Sequence, residues 1–180
     1  MIFEPFPEFL PSEYRVKFAT EAWERRDAAA LRRRVFCDEQ QIFSGDDRDA
    51  IDDVAIPIVA TSSFAVAAQE VVGTVRIHTV EPGVWWGSRL AVATDYRKIS
   101  ALGTSLIRLA VSSAHAQGCQ RFYAHVQAQN APLFLRLGWN TIEEIVVHGR
   151  PHHFMQADLR HYPPIADAET GIVSLPRKAA

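Results

Sequence analysis

Five aspartates crowd the stretch from Gly45 to Asp53, namely Asp46, Asp47, Asp49, Asp52 and Asp53, with Arg48 as the lone cation among them. Such a cluster reads as a solvated loop or, beside a cleft, as a field that draws in a cationic amine. Calcium fits less well, because the twelfth-position glutamate of the helix-loop-helix site is missing. Candidate proton acceptors are Glu39 just before this loop, His125, and His152 beside His153. Neighbours in a strand face opposite sides, so only one of the last two can line a given pocket. No third ligand stands at a suitable spacing, so the pair is not read as a metal site. Two of these acceptors have a structural alternative: an ion pair of Glu39 with the Arg32 to Arg34 run, and a backbone-bonded strand imidazole for His125. Cys37 and Cys119 match no metal or redox spacing and read as buried, reduced thiols of a cytoplasmic protein.

A second kind of chemistry is written between Trp85 and Ala116. An apolar strand ending in Arg89-Leu90-Ala91-Val92 meets a polar turn through Tyr96, Arg97 and Lys98, and a long helix follows. The first turn of a helix leaves backbone N–H groups unpaired, and with the helix dipole they form an anion site.

The elements that must position these residues follow from periodicity. Tyr14, Val16 and Phe18 alternate with Arg15 and Lys17, the pattern of a half-buried strand from Tyr14 to Ala19. Thr20 offers an N-cap, and the Ala-, Arg- and Glu-rich stretch to Gln41 predicts two short helices that break near Asp27. Strands are expected at Ile56 to Ala60, Val71 to Val80 and Trp85 to Val92, with Pro82-Gly83 as the hairpin turn between the last two. Leu102, Leu106, Leu109 and Ser113 form one stripe of a helix from Ser100 to Gln117, beside Ile107, Val111 and Ala114, and Gly118 stops it. A strand from Gln120 to Gln127, a short helix from Asn130 to Leu137 and a hairpin around Gly149-Arg150-Pro151 within Trp139 to Met155 complete the order. Trp85 and Trp86 alternate, so one belongs to the core and the other edges a cleft or an interface. Residues 161–180, with Pro163-Pro164, read as a tail that is mobile or laid along the surface.

The 180 residues suit one domain with a proper core, almost half of them being apolar. A net charge of −2 disfavours a nucleic-acid partner. The Pro-rich lead, residues 1–12, lacks the basic start and apolar run of a secretory signal, and no segment reaches membrane-spanning length.

Over residues 13–160 this order resembles the GNAT superfamily of acyl-CoA-dependent N-acetyltransferases. Arg89 to Val92, Tyr96-Arg97 and Gly103-Thr104-Ser105-Leu106-Ile107 resemble its coenzyme A motif, and Asn130 to Trp139 its second motif. Arg34 to Gln40 with the acidic loop, and His148 to His152, resemble the branch that holds acyl-homoserine-lactone synthases. The resemblance implies an α/β (α+β) fold with a mixed, mostly antiparallel sheet of about six to seven strands flanked by helices. It further implies an N-acetyltransferase that uses acetyl-CoA or another acyl-CoA, without a metal, on a small-molecule amine. Leu90, Ala91 and Val92 would bond pantetheine and the acyl carbonyl. Arg97, Lys98 and the amides of Ser100, Ala101, Leu102, Gly103 and Thr104 would hold phosphates, with Asn130 and Phe134 beside the cofactor. Among the candidate bases Glu39, His125 and His152 the motif favours Glu39, and the choice stays open.

Two positions depart from the family pattern. Ala101 stands at the first glycine of the cradle, where it keeps its N–H but adds a methyl group. Phe134 stands where many members carry a proton-donating tyrosine. A coenzyme A thiol has an ordinary pKa of about 8.5, so its thiolate can leave without a dedicated acid. Two alternatives therefore stand beside transfer to an amine: a non-enzymatic acyl-CoA-binding module for a partner protein, and an acyl-homoserine-lactone synthase-like enzyme. A homodimer is left open.

Overall fold

A computed structural model describes residues 13–64, 67–98 and 101–175. Eight strands in these segments form a single sheet in the order β6-β7-β5-β4-β3-β2-β1-β8. They are β1 (Tyr14–Phe18), β2 (Ile56–Phe64), β3 (Ala67–Glu81), β4 (Val84–Val92), β5 (Arg121–Gln127), β6 (Trp139–Val147), β7 (Arg150–Ala157) and β8 (Ile172–Ser174). Every pairing is antiparallel except that of β4 with β5. The expected mixed sheet is present with one strand more than the upper expectation. That strand, β8, comes from the stretch read as a tail: Phe18 N–H bonds the Ala168 carbonyl, Ile165 N–H bonds that of Ser112, and Ile172 to Ser174 pair with β1. Three residues are too few for a periodicity to announce.

Helix α1 (Ala22–Arg33) packs Ala28 and Leu31 on one face of the sheet against Val59, Val71 and Ala91. It runs unbroken through Asp27, which corrects the expected pair of short helices. An aspartate inside a helix costs well under about 1 kcal/mol, less than burial of Leu31 returns. The cap is Glu21 rather than Thr20, in a reciprocal box with Glu24, whose buried carboxylate also receives Lys17 Nζ at 2.7 Å. A π-helical turn, Arg34 to Glu39, carries the chain on toward the acidic loop.

Helix α2 (Leu102–Ala116) covers the opposite face, burying Leu102, Leu106, Leu109 and Val111 on Val72, Val75 and Ile77. Helix α3 (Ala131–Arg136) ends at Gly138, whose φ of +83° suits a helix stop. The β6–β7 turn consists of His148 and Gly149, with φ of +50° and +73°, the paired left-handed geometry of a tight hairpin. It therefore lies one step earlier than expected, and Arg150 and Pro151 already belong to β7.

One feature of this sheet positions everything that follows. β4 and β5 pair only at Val84, Trp85 and Trp86 against Arg121, Phe122 and Tyr123. Beyond those residues β4 stays with β3 and β5 stays with β7, so the two strands diverge and leave a wedge between them.

Candidate functional site

The wedge opens into a cavity of about 370 Å³ lined from both faces of the sheet. Register fixes which side chains point where, because residues directly opposite share a face. His78 opposes Trp86, Trp86 opposes Tyr123, His125 opposes Phe154, and Gln127 opposes His152. These share the α1 side, while Trp85, Phe122 and Ala124 are buried toward α2. Of the two tryptophans, Trp85 is in the core and Trp86 edges the cavity, stacked 5.6 Å from Phe154 and 5.1 Å from the His125 ring.

β4 carries a bulge at the mouth of the wedge. Thr74 pairs with Ala91 and Arg76 with Ser88, so Val75 faces both Arg89 and Leu90. Arg89 has a φ of +56°, a strained conformation for a residue with a side chain. Its guanidinium explains how that strain is held. Nε donates to Asp47 Oδ2 (3.0 Å) and Nη2 to the Asp47 carbonyl (3.0 Å) and Asp49 Oδ2 (3.3 Å), and the group lies 4.5 Å over the Phe43 ring.

The acidic loop thus splits by position. Asp46 and Asp53 are exposed, as a solvated loop requires. Asp47, Asp49 and Asp52 are tied to Arg32, Arg76 and Arg89: Arg32 Nε donates to Asp47 (2.8 Å) and Nη1 to Asp52 (2.6 Å), and Arg76 Nη1 donates to Asp49 (2.7 Å). Hydrogen bonds from Arg76 hold the Asp49 carboxyl below its ordinary pKa against the effect of burial. For Asp52 burial pushes upward, and the bonds from Arg32 and Arg76 outweigh it, so its pKa also falls. Three guanidiniums balance three carboxylates, so this inner set supplies no attractive field for a cationic amine. Sequence spacing did not reveal it, since its cations come from α1, β3 and β4.

Of the three candidate bases, two are brought together. Glu39 lies outside the cavity lining and accepts Arg97 Nη2 at 2.7 Å and Thr94 Oγ1 at 2.9 Å. Burial alone would raise its pKa, but those bonds prevail and lower it. The partner is thus an arginine of the β4–α2 connection, not one of the Arg32 to Arg34 run. His125 and His152 do line the cavity. Packing against Trp86 and Phe154 strips hydration from His125, exposed though the residue is overall. That loss, and the nearby His152, lower its pKa below the ordinary 6.5. His152 is buried, and its Nδ1 donates to the Arg150 carbonyl at 2.9 Å, which in the neutral ring leaves Nε2 as an acceptor. His153 turns to the other face beside Thr141.

Two more histidines line the cavity, His148 of the β6–β7 turn and His78, and His78 escaped the sequence reading. Counting back from the Pro82-Gly83 turn puts it opposite Gly87, but a register shift between Thr79 and Glu81 places it opposite Trp86. Its Nδ1 has no hydrogen-bond partner, and burial followed by the Arg76 charge lowers its pKa. Gln40 was likewise missed; it receives Gln127 Nε2 at 2.9 Å, and its carbonyl accepts Arg150. These bonds lace the segment after the π-helical turn to β5 and β7 across the cavity.

The residues expected to hold the cofactor are spread over β4, its connection to α2, the first turn of α2 and the start of α3. Leu90, Asn130 and Phe134 line the cavity; Ala91 is buried under α1, and Val92 packs toward α2 with its carbonyl accepting Arg97 Nε at 2.9 Å. Lys98 is exposed. Ser100 lies outside the described residues. Ala101 is the N-cap residue of α2 and has no side-chain cap bond, so the N–H groups of Leu102, Gly103 and Thr104 lack the acceptor a capping side chain would supply. Leu102 is itself fully buried, so only its backbone is available, and the space over Gly103 is open. Among the described residues no helix is long and apolar enough to cross a membrane. Cys37 and Cys119 are free and buried, and burial pushes both thiols up, Cys119 to about 11.

Comparison with known proteins places these features in context. The Acetyltransferase (GNAT) family matches residues 18–139. A Lactobacillus plantarum protein described as a candidate N-acetyltransferase shares the fold with a TM-score of 0.69 at 21% identity, covering 80% of this chain and 97% of that one. ElaA of Escherichia coli superposes with a TM-score of 0.62 at 19% identity, over 81% of this chain and 98% of its own. BjaI, a CoA-dependent acyl-homoserine lactone synthase solved with SAM and isopentyl-CoA, gives 0.61 at 19% identity over 77% of this chain and 76% of its own. At such identities the likeness concerns the fold. No curated protein sequence matches the chain.

Proposed function

The chain belongs to the acetyltransferase (GNAT) family, and on that premise we propose that it transfers the acyl group of an acyl-CoA, in the simplest case acetyl-CoA, directly to a small-molecule amine. The observation that carries this reading is the wedge between β4 and β5, lined from both faces of the sheet, with β4 running on through the Arg97 connection to the uncapped N-terminus of α2. Phosphates of the donor would lie on the Gly103 and Thr104 amides with Lys98 beside them, because that end of the helix is the positive end of its dipole. Pantetheine would enter the wedge along Leu90, and the bulge at Arg89 and Leu90 would turn a backbone N–H toward the thioester oxygen.

The amine would approach from the α1 side, where His125 stands as a neutral imidazole at pH 7. Its nitrogen lone pair attacks the thioester carbon. The C–N bond forms, the carbonyl oxygen takes the negative charge against the amide donor, and the C–S bond then breaks to release thiolate. His125 accepts the amine proton, with His152 as the second acceptor within the same cavity. The thiolate takes its proton from solvent, since Phe134 has none to give. Holding both substrates across one wedge supplies much of the acceleration.

Equilibrium titration with acetyl-CoA, followed by thiol release across a panel of small amines, tests this. Saturable binding with turnover on at least one amine is expected. Binding with no turnover on any amine would instead support an acyl-CoA-binding module, and turnover confined to S-adenosylmethionine with an acyl carrier would support the lactone-synthase reading. Absence of acetyl-CoA binding overturns the amine-transfer and binding-module readings.

A further inference from the structure

The cavity has a second half that transfer of a two-carbon group leaves empty. On the α2 side of the sheet it reaches Ile107, Ala110 and Val111 of α2, Phe122 of β5, and Phe134 and Trp139 around α3. These belong to the main core, with Val111 fully buried and Phe122 only 1% exposed. The space they border therefore lies inside the packed interior, where voids larger than a water molecule are few.

Small residues border it. Gly87, the first residue of β4 beyond its pairing with β5, gives the Phe122 ring its room, since a Cβ there would stand 3.0 Å from that ring and displace it. Ala110 and Ala124 offer only methyl groups to the same space. The far wall is aromatic, Phe134 and Phe122 each meeting Trp139 edge to face at 5.1 and 5.8 Å. None of these six side chains offers an anchor for ordered water except the Trp139 indole, and its N–H is already given to Tyr162 Oη. A cavity of this kind stays dry and takes up hydrocarbon.

We propose that this inner arm holds the hydrocarbon tail of the acyl group, making the preferred donor a medium-chain acyl-CoA rather than acetyl-CoA. The inference rests on the acyl-transfer reading, which sets the thioester at Leu90. Pantetheine then occupies the open end of the wedge and the amine comes from the α1 face, which leaves the tail one direction, toward the closed end at Trp85 and Phe122. A dry cavity of about 150 Å³ accommodates the six carbons of benzene, so a cavity of about 370 Å³ in all has room for a tail of that order beside the thioester. The arm also accounts for Phe134: a tyrosine there would bury a hydroxyl against an apolar wall.

Affinities of free CoA, acetyl-, butyryl-, hexanoyl- and decanoyl-CoA, measured by calorimetry without any acceptor, separate this inference from the reading beneath it. Each added methylene is expected to tighten binding about fourfold until the arm is full near six carbons. In Ala110→Leu, and independently in Gly87→Ala, the ratio of hexanoyl-CoA to free CoA affinity should fall at least tenfold. Binding of free CoA with a flat or falling wild-type series would overturn the inner-arm proposal and leave transfer standing. Failure to bind free CoA would overturn the transfer reading, and the arm with it.

Discussion

Removing the Asp47 carboxylate should disable the strand bulge without touching either substrate. Asp47 is 2% exposed, and one of its oxygens receives Arg32 Nε at 2.8 Å and Arg89 Nε at 3.0 Å. In Asp47→Ala, Arg32 keeps both bonds to Asp52, while Arg89 keeps the 3.3 Å contact with Asp49, the backbone carbonyl at residue 47 and its place over the Phe43 ring. Breaking a buried pair by deleting one partner costs about 3–5 kcal/mol, and the surviving contacts favour the lower end, about 3 kcal/mol. Part of this loss is local. A non-glycine residue in the left-handed region carries about 1–2 kcal/mol of strain, and Arg89 at +56° is then free to relax. Urea unfolding measures the global cost, and steady-state kinetics beside free CoA binding measure the local one. Turnover should fall well beyond any loss of CoA affinity, because the amide at the bulge is displaced while the helix N-terminus is not. Asp47→Asn, which keeps shape and removes only charge, should lie between the two. A stability change under about 1 kcal/mol with normal turnover in Asp47→Ala would refute the idea that the inner ion pairs hold the bulge.

Three further outcomes are expected. His125 has a lowered pKa, so kcat/KM should rise with pH through a midpoint under the ordinary 6.5; His125→Gln should remove that acid limb and lower the plateau about 10²-fold or more, and an unchanged profile excludes His125 as the base. Lys98→Ala should weaken CoA binding about fivefold at low salt, less at high salt, and leave a phosphate-free acetyl-pantetheine donor unaffected; equal losses for both donors would remove Lys98 from the phosphate site. Gly171 has a φ of +75°, and a Cβ there would land on the Val16 carbonyl, so Gly171→Ala should detach β8 and speed hydrogen exchange in β1. Unaltered exchange and urea stability in that variant would support the domain boundary proposed at residue 160, with the rest as a dispensable tail.

The local elements were readable because their causes are local. Apolar alternation marked β1, the stripe of Leu102, Leu106 and Leu109 marked α2, and Pro82-Gly83 and Gly118 marked ends that demand particular backbone angles. Asp27 misled because propensity is a weak term beside the burial of Ala28 and Leu31, and Thr20 lost the cap to the reciprocal pair of Glu21 and Glu24. His78 was hidden by a bulge, which shifts register by one residue and so reverses faces without changing composition.

The order of elements, the apolar strand that runs through a polar turn into a long helix, and the family resemblance those carry all follow from residues close together in the chain. The folded chain alone sets the relations between residues far apart in it. It tied Asp47 to Arg89, sent Glu39 to Arg97 and away from the cavity, and set His125 and His152 on one wall. The cradle was predictable because a strand, a turn and a helix N-terminus are consecutive, and unpaired amides follow from helix geometry alone. The wedge was not, because it exists only where β4 and β5, linked through α2, stop pairing after three residues.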